Sequence, residues 1–173
     1  ITTTKNYHNL TVINGGSITA NALSTLQIYV SGTLTIDATS NINVDGKGKS
    51  GATYTASRTN PHTVDASQGT GGGQCSYYRY EGGGGAGYAS AGTAAWGHND
   101  YASAGGIAYG DVQLSTLGYG SGGGVAGNGA YWGTAGIAGA GGTGGGALKI
   151  IANNLVLNGS ISANGNNGNN GTG

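Results

Sequence analysis

The chain has 173 residues, of which 40 are Gly, with one Pro, one Cys, no Met and no Phe. Charged residues make up 7%, six Lys plus Arg against six Asp plus Glu, so no net field draws nucleic acid or an anionic membrane surface. Leu, Ile and Val alone cannot fill a core of one domain's size to ordinary density at this composition, so small residues and backbone must be packed instead.

Residues 1–48 alternate apolar with polar. Leu10/Val12, Ile18, Leu26/Ile28/Val30, Leu34/Ile36 and Ile42/Val44 stand two apart with Thr, Ser, Asn or Gln between them, which is the period of half-buried strands. Turn signals fall between the runs at Asn14-Gly15-Gly16, Ser31-Gly32, Thr39-Ser40-Asn41 and Asp45-Gly46. No run has the 3.6-residue period of a helix, so no helix of significant length is expected.

The far end of the chain repeats this beginning. Asn14-Gly-Gly-Ser-Ile-Thr-Ala-Asn21 matches Asn158-Gly-Ser-Ile-Ser-Ala-Asn164, and Val30-Ser-Gly-Thr-Leu-Thr-Ile-Asp37 aligns with Leu157-Asn-Gly-Ser-Ile-Ser-Ala-Asn164. Repeats of this kind predict stacked rungs of a parallel β-solenoid, with Gly at the corners and Ala147–Ala152 and Leu155–Leu157 as further rung strands. A flat antiparallel meander or sandwich fits the same alternation. In the solenoid reading, residues 1–49 are N-terminal rungs, 50–146 are a lateral or capping insertion, and 147–173 complete the same structural domain.

The insertion is dominated by glycine, with 29 Gly in the 78 positions of 69–146. Gly124, Gly127, Gly133, Gly136, Gly139, Gly142 and Gly145 share a three-residue register interrupted only by Ala130. That is the period of polyproline II, and Gly on one face lets extended chains pair their backbones as a polyglycine II sandwich. The absence of proline and of a sustained X-Y pattern argues against a collagen triple helix. A disordered spacer is the competing reading, opposed by aromatics recurring from Tyr77 to Trp132, whose rings can cover glycine backbone.

Little catalytic chemistry is available. Cys75 has no partner for an internal disulfide or a cysteine metal cluster, and His8, His62 and His98 lack metal-ligand spacing. Asp37 and Asp45 are the only carboxylates on adjacent predicted rungs. They could hold Ca²⁺ or act on a glycoside, but the preferred reading has each accepting backbone N–H bonds at a corner. The run Gly69-Thr-Gly71-Gly72-Gly73 lacks the Gly-Lys-Ser/Thr ending of a phosphate loop. Asn9-Leu-Thr11, Asn158-Gly-Ser160 and Asn170-Gly-Thr172 are formal glycosylation sequons of the kind chance supplies in an Asn- and Thr-rich chain. No run reaches the roughly 18 apolar residues of a membrane span, and the first residue is Ile, which reads as a processed, trimmed or fragmentary chain.

The segments Leu10–Thr19 and Val30–Gly48, with Tyr109-Gly-Asp111, Gly120-Ser-Gly-Gly-Gly124, Gly144–Ala152 and Leu157–Gly165, resemble the rungs of large glycine-rich β-helical surface proteins of bacteria. The glycine period also resembles the polyglycine II tips of phage tail-fibre adhesins and that of glycine-rich antifreeze proteins. The resemblance implies an extracellular, cell-surface or virion-surface location. It fits a non-catalytic surface or fibre protein that self-assembles and adheres, without cofactors, nucleic acid or membrane insertion. Its expected partners are copies of itself, adjoining segments of a longer chain, and surface glycans. A polysaccharide-active β-helix enzyme is the alternative, and an ice-binding protein, prompted by Thr33 and Thr35, a lesser one. The expected ligand surface combines rings with polar groups that suit sugars: Tyr77, Tyr78, Tyr80, Trp96, His98, Asp100, Tyr101, Tyr131 and Trp132.

Overall fold

The structure, a computed structural model, describes residues 2–53, 69–73, 82–95, 103–111, 116–126 and 139–169. Its strands are β1 (Thr2–Tyr7), β2 (Leu10–Val12), β3 (Ser17–Ile18), β4 (Thr25–Ile36), β5 (Asn41–Asn43), β6 (Leu148–Leu157) and β7 (Ser160–Ser162). The architecture is all-β, every strand pair is parallel, and no helix occurs among the described residues.

The strands stack as three layers. β1, β2 and β3 form the first, β4 and β5 the second, β6 and β7 the third. The second lies in the middle, because β4 pairs with β1 and β2 on one side and β6 on the other, and β5 lies between β3 and β7. Layer 1 meets layer 2 with Thr2 opposite Thr25, Leu10 opposite Leu34 and Ser17 opposite Asn41, so the chain advances by nearly the same length at each side of the layer. Layer 3 follows only after the glycine-rich insertion, with Leu26 opposite Leu148, Leu34 opposite Leu155 and Ile42 opposite Ile161.

In-register stacking turns the sequence alternation into apolar ladders. Leu10–Leu34–Leu155, Val12–Ile36–Leu157 and Ile18–Ile42–Ile161 each run through all three layers. The middle layer is covered on both sides, so Leu34, Ile36, Ile42 and Val44 are fully buried. Burying an aliphatic side chain of this size contributes roughly 1.5–3 kcal/mol, so the second layer carries most of the apolar stabilisation.

Two expectations need correction. Ser31-Gly32 is not a turn, because β4 continues through it from Thr25 to Ile36, and its register slips there against both neighbours, between Val30 and Thr33 against β6 and between Val30 (opposite Tyr7 of β1) and Leu34 (opposite Leu10 of β2). Asn side chains pair the groups this slip frees: Asn9 Oδ1 accepts from Thr33 N at 2.8 Å, and Asn153 Nδ2 donates to Ser31 O at 2.6 Å. A Cβ at Gly32 would overlap Asn9 Oδ1. The alignment of Val30–Asp37 with Leu157–Asn164 is likewise not spatial. Leu157 stacks on Ile36 and Ile161 on Ile42, so the shared motif marks two different corners of a layer.

The insertion packs by a different rule. Lys49 and Ala52 N–H donate to Gly120 and Gly123 O. Gly120, Gly123 and Ala126 N–H donate to Gly145, Gly142 and Gly139 O, and Gly144 and Gly141 N–H donate back to Lys49 and Ala52 O. Three segments thus close a cycle of donation with a three-residue step. A second cycle links Gly85 N–H to Thr93 O, Gly92 N–H to Gly106 O and Gly106 N–H to Gly85 O. Gly124 N–H to Gly84 O joins the two, and segment 69–73 bridges them through Gly73 N–H to Gly122 O and Gly87 N–H to Gly71 O.

Segment 139–147 shows why glycine recurs there. A Cβ on Gly141 or Gly144 would overlap carbonyl oxygens of 120–123, and one on Gly142 or Gly145 would overlap those of Asn166 and Ala163. Two of every three positions therefore exclude a side chain, and Ala140 and Thr143 occupy the third. Gly141→Ala and Gly142→Ala are each expected to destabilise the fold by about 1–3 kcal/mol through overpacking, and Thr143→Ala by less than about 1 kcal/mol. Urea unfolding of the three variants checks this, and equal losses in all three would refute the close-packing account.

Candidate functional site

Both candidate carboxylates serve turns. Asp37 follows β4, where its Oδ2 accepts from Asn14 N at 2.9 Å and its Oδ1 from Thr39 N and Thr39 Oγ1, each at 2.9 Å. It therefore ties the Asn14-Gly15 turn of layer 1, where both residues have positive φ and Gly16 N–H bonds to Ile13 O, to the corner of layer 2. Asp45 does the same between layers 2 and 3, accepting from Ser162 Oγ at 3.0 Å and from Asn164 N. The two carboxylates stand on one layer rather than on adjacent rungs. One layer takes the whole stretch of chain from Leu10 to Leu34, far more than the short alternating runs implied. Each carboxylate holds both backbone and side-chain donors.

The Ser40 hydroxyl, then the Asn14 amide, outweigh a small effect of burial and with Thr39 lower the Asp37 carboxyl from 3.8 to about 2. Ser40 Oγ is buried without a formed hydrogen bond, so it acts as a nearby dipole rather than a bonded donor.

A second cluster joins the insertion to the layers. Tyr119 Oη donates to Leu23 O at 2.9 Å and lies 3.1 Å from Thr25 Oγ1. Gly71 N donates to Ser121 Oγ at 3.0 Å, Ser121 Oγ to Tyr109 Oη at 2.9 Å, and Tyr109 Oη to Tyr119 O. The Tyr88 and Tyr109 rings meet edge to face with centroids 5.1 Å apart. Tyr88, Ser121, Leu117, Leu148 and Ala163 line a cleft of about 500 Å³ between the insertion and layer 3. Sequence reading noted these tyrosines only as recurrent aromatics. Their role depends on contacts between segments far apart in the chain, for which no local signal exists.

The nine sequence candidates Tyr77, Tyr78, Tyr80, Trp96, His98, Asp100, Tyr101, Tyr131 and Trp132 all lie outside the described residues. They fall in the intervals 74–81, 96–102 and 127–138, whose flanking residues are described. Ala95 N–H bonds directly to Ser103 O, and Ala126 N–H to Gly139 O. Gly73 meets the backbone of Gly84 and Gly85, and Gly84 O accepts from Gly124 N–H. The antiparallel and parallel registers set all these flanks at one end of the insertion. Its other end holds Tyr119, bonded to Leu23, and Ala147, whose carbonyl accepts from Leu26 N–H.

Among the described residues no group of three or more His, Cys, Asp or Glu could hold a metal ion, and no helix is long and apolar enough to cross a membrane. Compared with known proteins, the chain matches no family model, no curated protein and no solved structure.

The lowered Asp37 value sets a pH dependence. The unfolded chain binds a proton there near 3.8 and the folded chain only near 2, so this contribution to stability is full above about pH 4 and is lost as pH falls toward about 2. Melting temperatures measured down that range are expected to drop less steeply in Asp37→Asn than in the parent chain. Parallel curves would refute the role of the carboxylate.

Proposed function

We propose that this chain is a non-catalytic, extracellular surface or fibre protein, a β-solenoid carrying a polyglycine II insertion whose far end binds surface glycans. The regular parallel stacking of layers, Thr2 on Thr25, Leu10 on Leu34 and Ser17 on Asn41, supports the solenoid reading. The cyclic three-residue bonding of the insertion supports polyglycine II.

One observation carries the adhesive reading. The described residues that flank the three intervals containing all nine aromatic and polar candidates lie at one end of the insertion, away from the strand layers. Rings of this kind stack on the C–H faces of sugars while His and Asp meet hydroxyls. Asp37 and Asp45, the only carboxylates weighed for hydrolysis, are engaged in turns, which supports the non-catalytic reading.

A glycan-array screen is expected to return ligands whose binding falls at least ~tenfold in both Trp96→Ala and Trp132→Ala. Tyr109→Phe, at the opposite end, is expected to lower stability by about 1 kcal/mol and leave binding unchanged. Undiminished binding in both tryptophan variants would remove this end from consideration.

A further inference from the structure

We propose that copies of this chain join head to tail, with layer 1 of one copy stacked in parallel register on layer 3 of the next. The proposal rests on the fibre reading above and gives its self-assembly a specific mode. Among the described residues, β1 pairs only with β4 and β6 only with β4, so each leaves one strand edge open.

The two open ends carry matching side chains. Leu10 on one end and Leu155 on the other both flank Leu34. Ile18 and Ile161 both flank Ile42, and Val12 and Leu157 both flank Ile36. Translating one copy along the stacking direction would set Leu10 against Leu155 and Ile18 against Ile161, repeating pairings that layer 2 already makes within the chain. The contact between copies is therefore a continuation of an interface the molecule has built twice. Layer 3 has the apolar surface to gain from it, since Leu155 is 51% exposed and Leu157 45%.

β1 departs from this match: Thr3 stands in the ladder of Leu26 and Leu148, Lys5 in that of Ile28 and Ile150, and Tyr7 in that of Val30 and Ala152. A lysine on an edge strand restrains edge-to-edge pairing, so Lys5 weakens the association without altering its register. The interface joins two different surfaces and does not close on itself, so it generates linear arrays rather than a dimer.

Sedimentation of the 173-residue chain at rising concentration tests this. The weight-average mass of the parent chain is expected to climb beyond that of a dimer. Tyr7→Glu blocks the layer 1 end and Leu155→Glu the layer 3 end, both at exposed positions. Each alone is expected to associate at least ~tenfold more weakly, whereas an equimolar mixture forms a one-to-one pair through the two intact ends. Thr3→Glu and Leu157→Glu supply a second pair should either first variant lose its strand circular dichroism.

A parent chain that stays monomeric overturns the proposal. So does a Tyr7→Glu variant that still dimerises at parental strength, because layer 3 would then pair with itself or with another partner. Glycan binding by a monomeric parent would overturn the stacking alone. Assembly without glycan binding would remove only the adhesive reading.

Discussion

Every backbone amide and carbonyl taken out of water needs a partner, and this chain meets that demand with almost no help from large side chains. In the strand layers the partners lie in the layers above and below, as in any parallel sheet. In the insertion they lie in several directions around each segment, because a three-residue step points successive amides at different neighbours. Both halves are solutions of one constraint, and they differ in how closely the backbones approach. The strand layers leave room for Leu, Ile and Val between their walls, whereas the insertion brings carbonyl oxygens to where a Cβ would stand.

That difference explains the uneven composition. Layer 2 is buried by its neighbours and carries the large aliphatics, while layers 1 and 3 repeat the same ladder with their outer edges open. Between layers 2 and 3 the chain leaves the stack, builds the insertion and returns at Leu148. The two parts are fastened where they meet by Tyr119 on Leu23 and Thr25 and by the Ser121–Tyr109 relay. The hydroxyls of Tyr119, Tyr109 and Ser121 are thus engaged in holding the two parts together.

The corners and the register slip within β4 use a third device. Asp37, Asp45, Asn9 and Asn153 each reach from one layer to the next and bond backbone or side-chain groups where the ladder is interrupted. Short polar side chains suit this position because they mimic a backbone partner at turns. A protein with so few carboxylates uses two of them in this way, and the donors around Asp37 hold its carboxyl below the ordinary carboxylate range.

The sequence by itself marked the strands between Leu10 and Val44 and between Ala147 and Ser162, though not β1, whose Thr2–Tyr7 carries no apolar alternation, and it marked a three-residue glycine spacing that the described Gly139, Gly142 and Gly145 keep. Both follow from local geometry: a pleat repeats every two residues, and extended threefold packing every three. Only the tertiary structure decided which repeat lies on which, because Leu34 fits Leu10 and Leu155 no better by local pattern than Val30 fits Leu157. It alone showed that one layer consumes the chain from Leu10 to Leu34, that Asp37 and Asp45 share one layer, and that β4 runs unbroken past Ser31-Gly32. It alone brought the flanks of 74–81, 96–102 and 127–138 to one end, since that depends on whether hydrogen-bonded segments run parallel or antiparallel. Direction is a property of pairing between distant segments, and no window of sequence contains it.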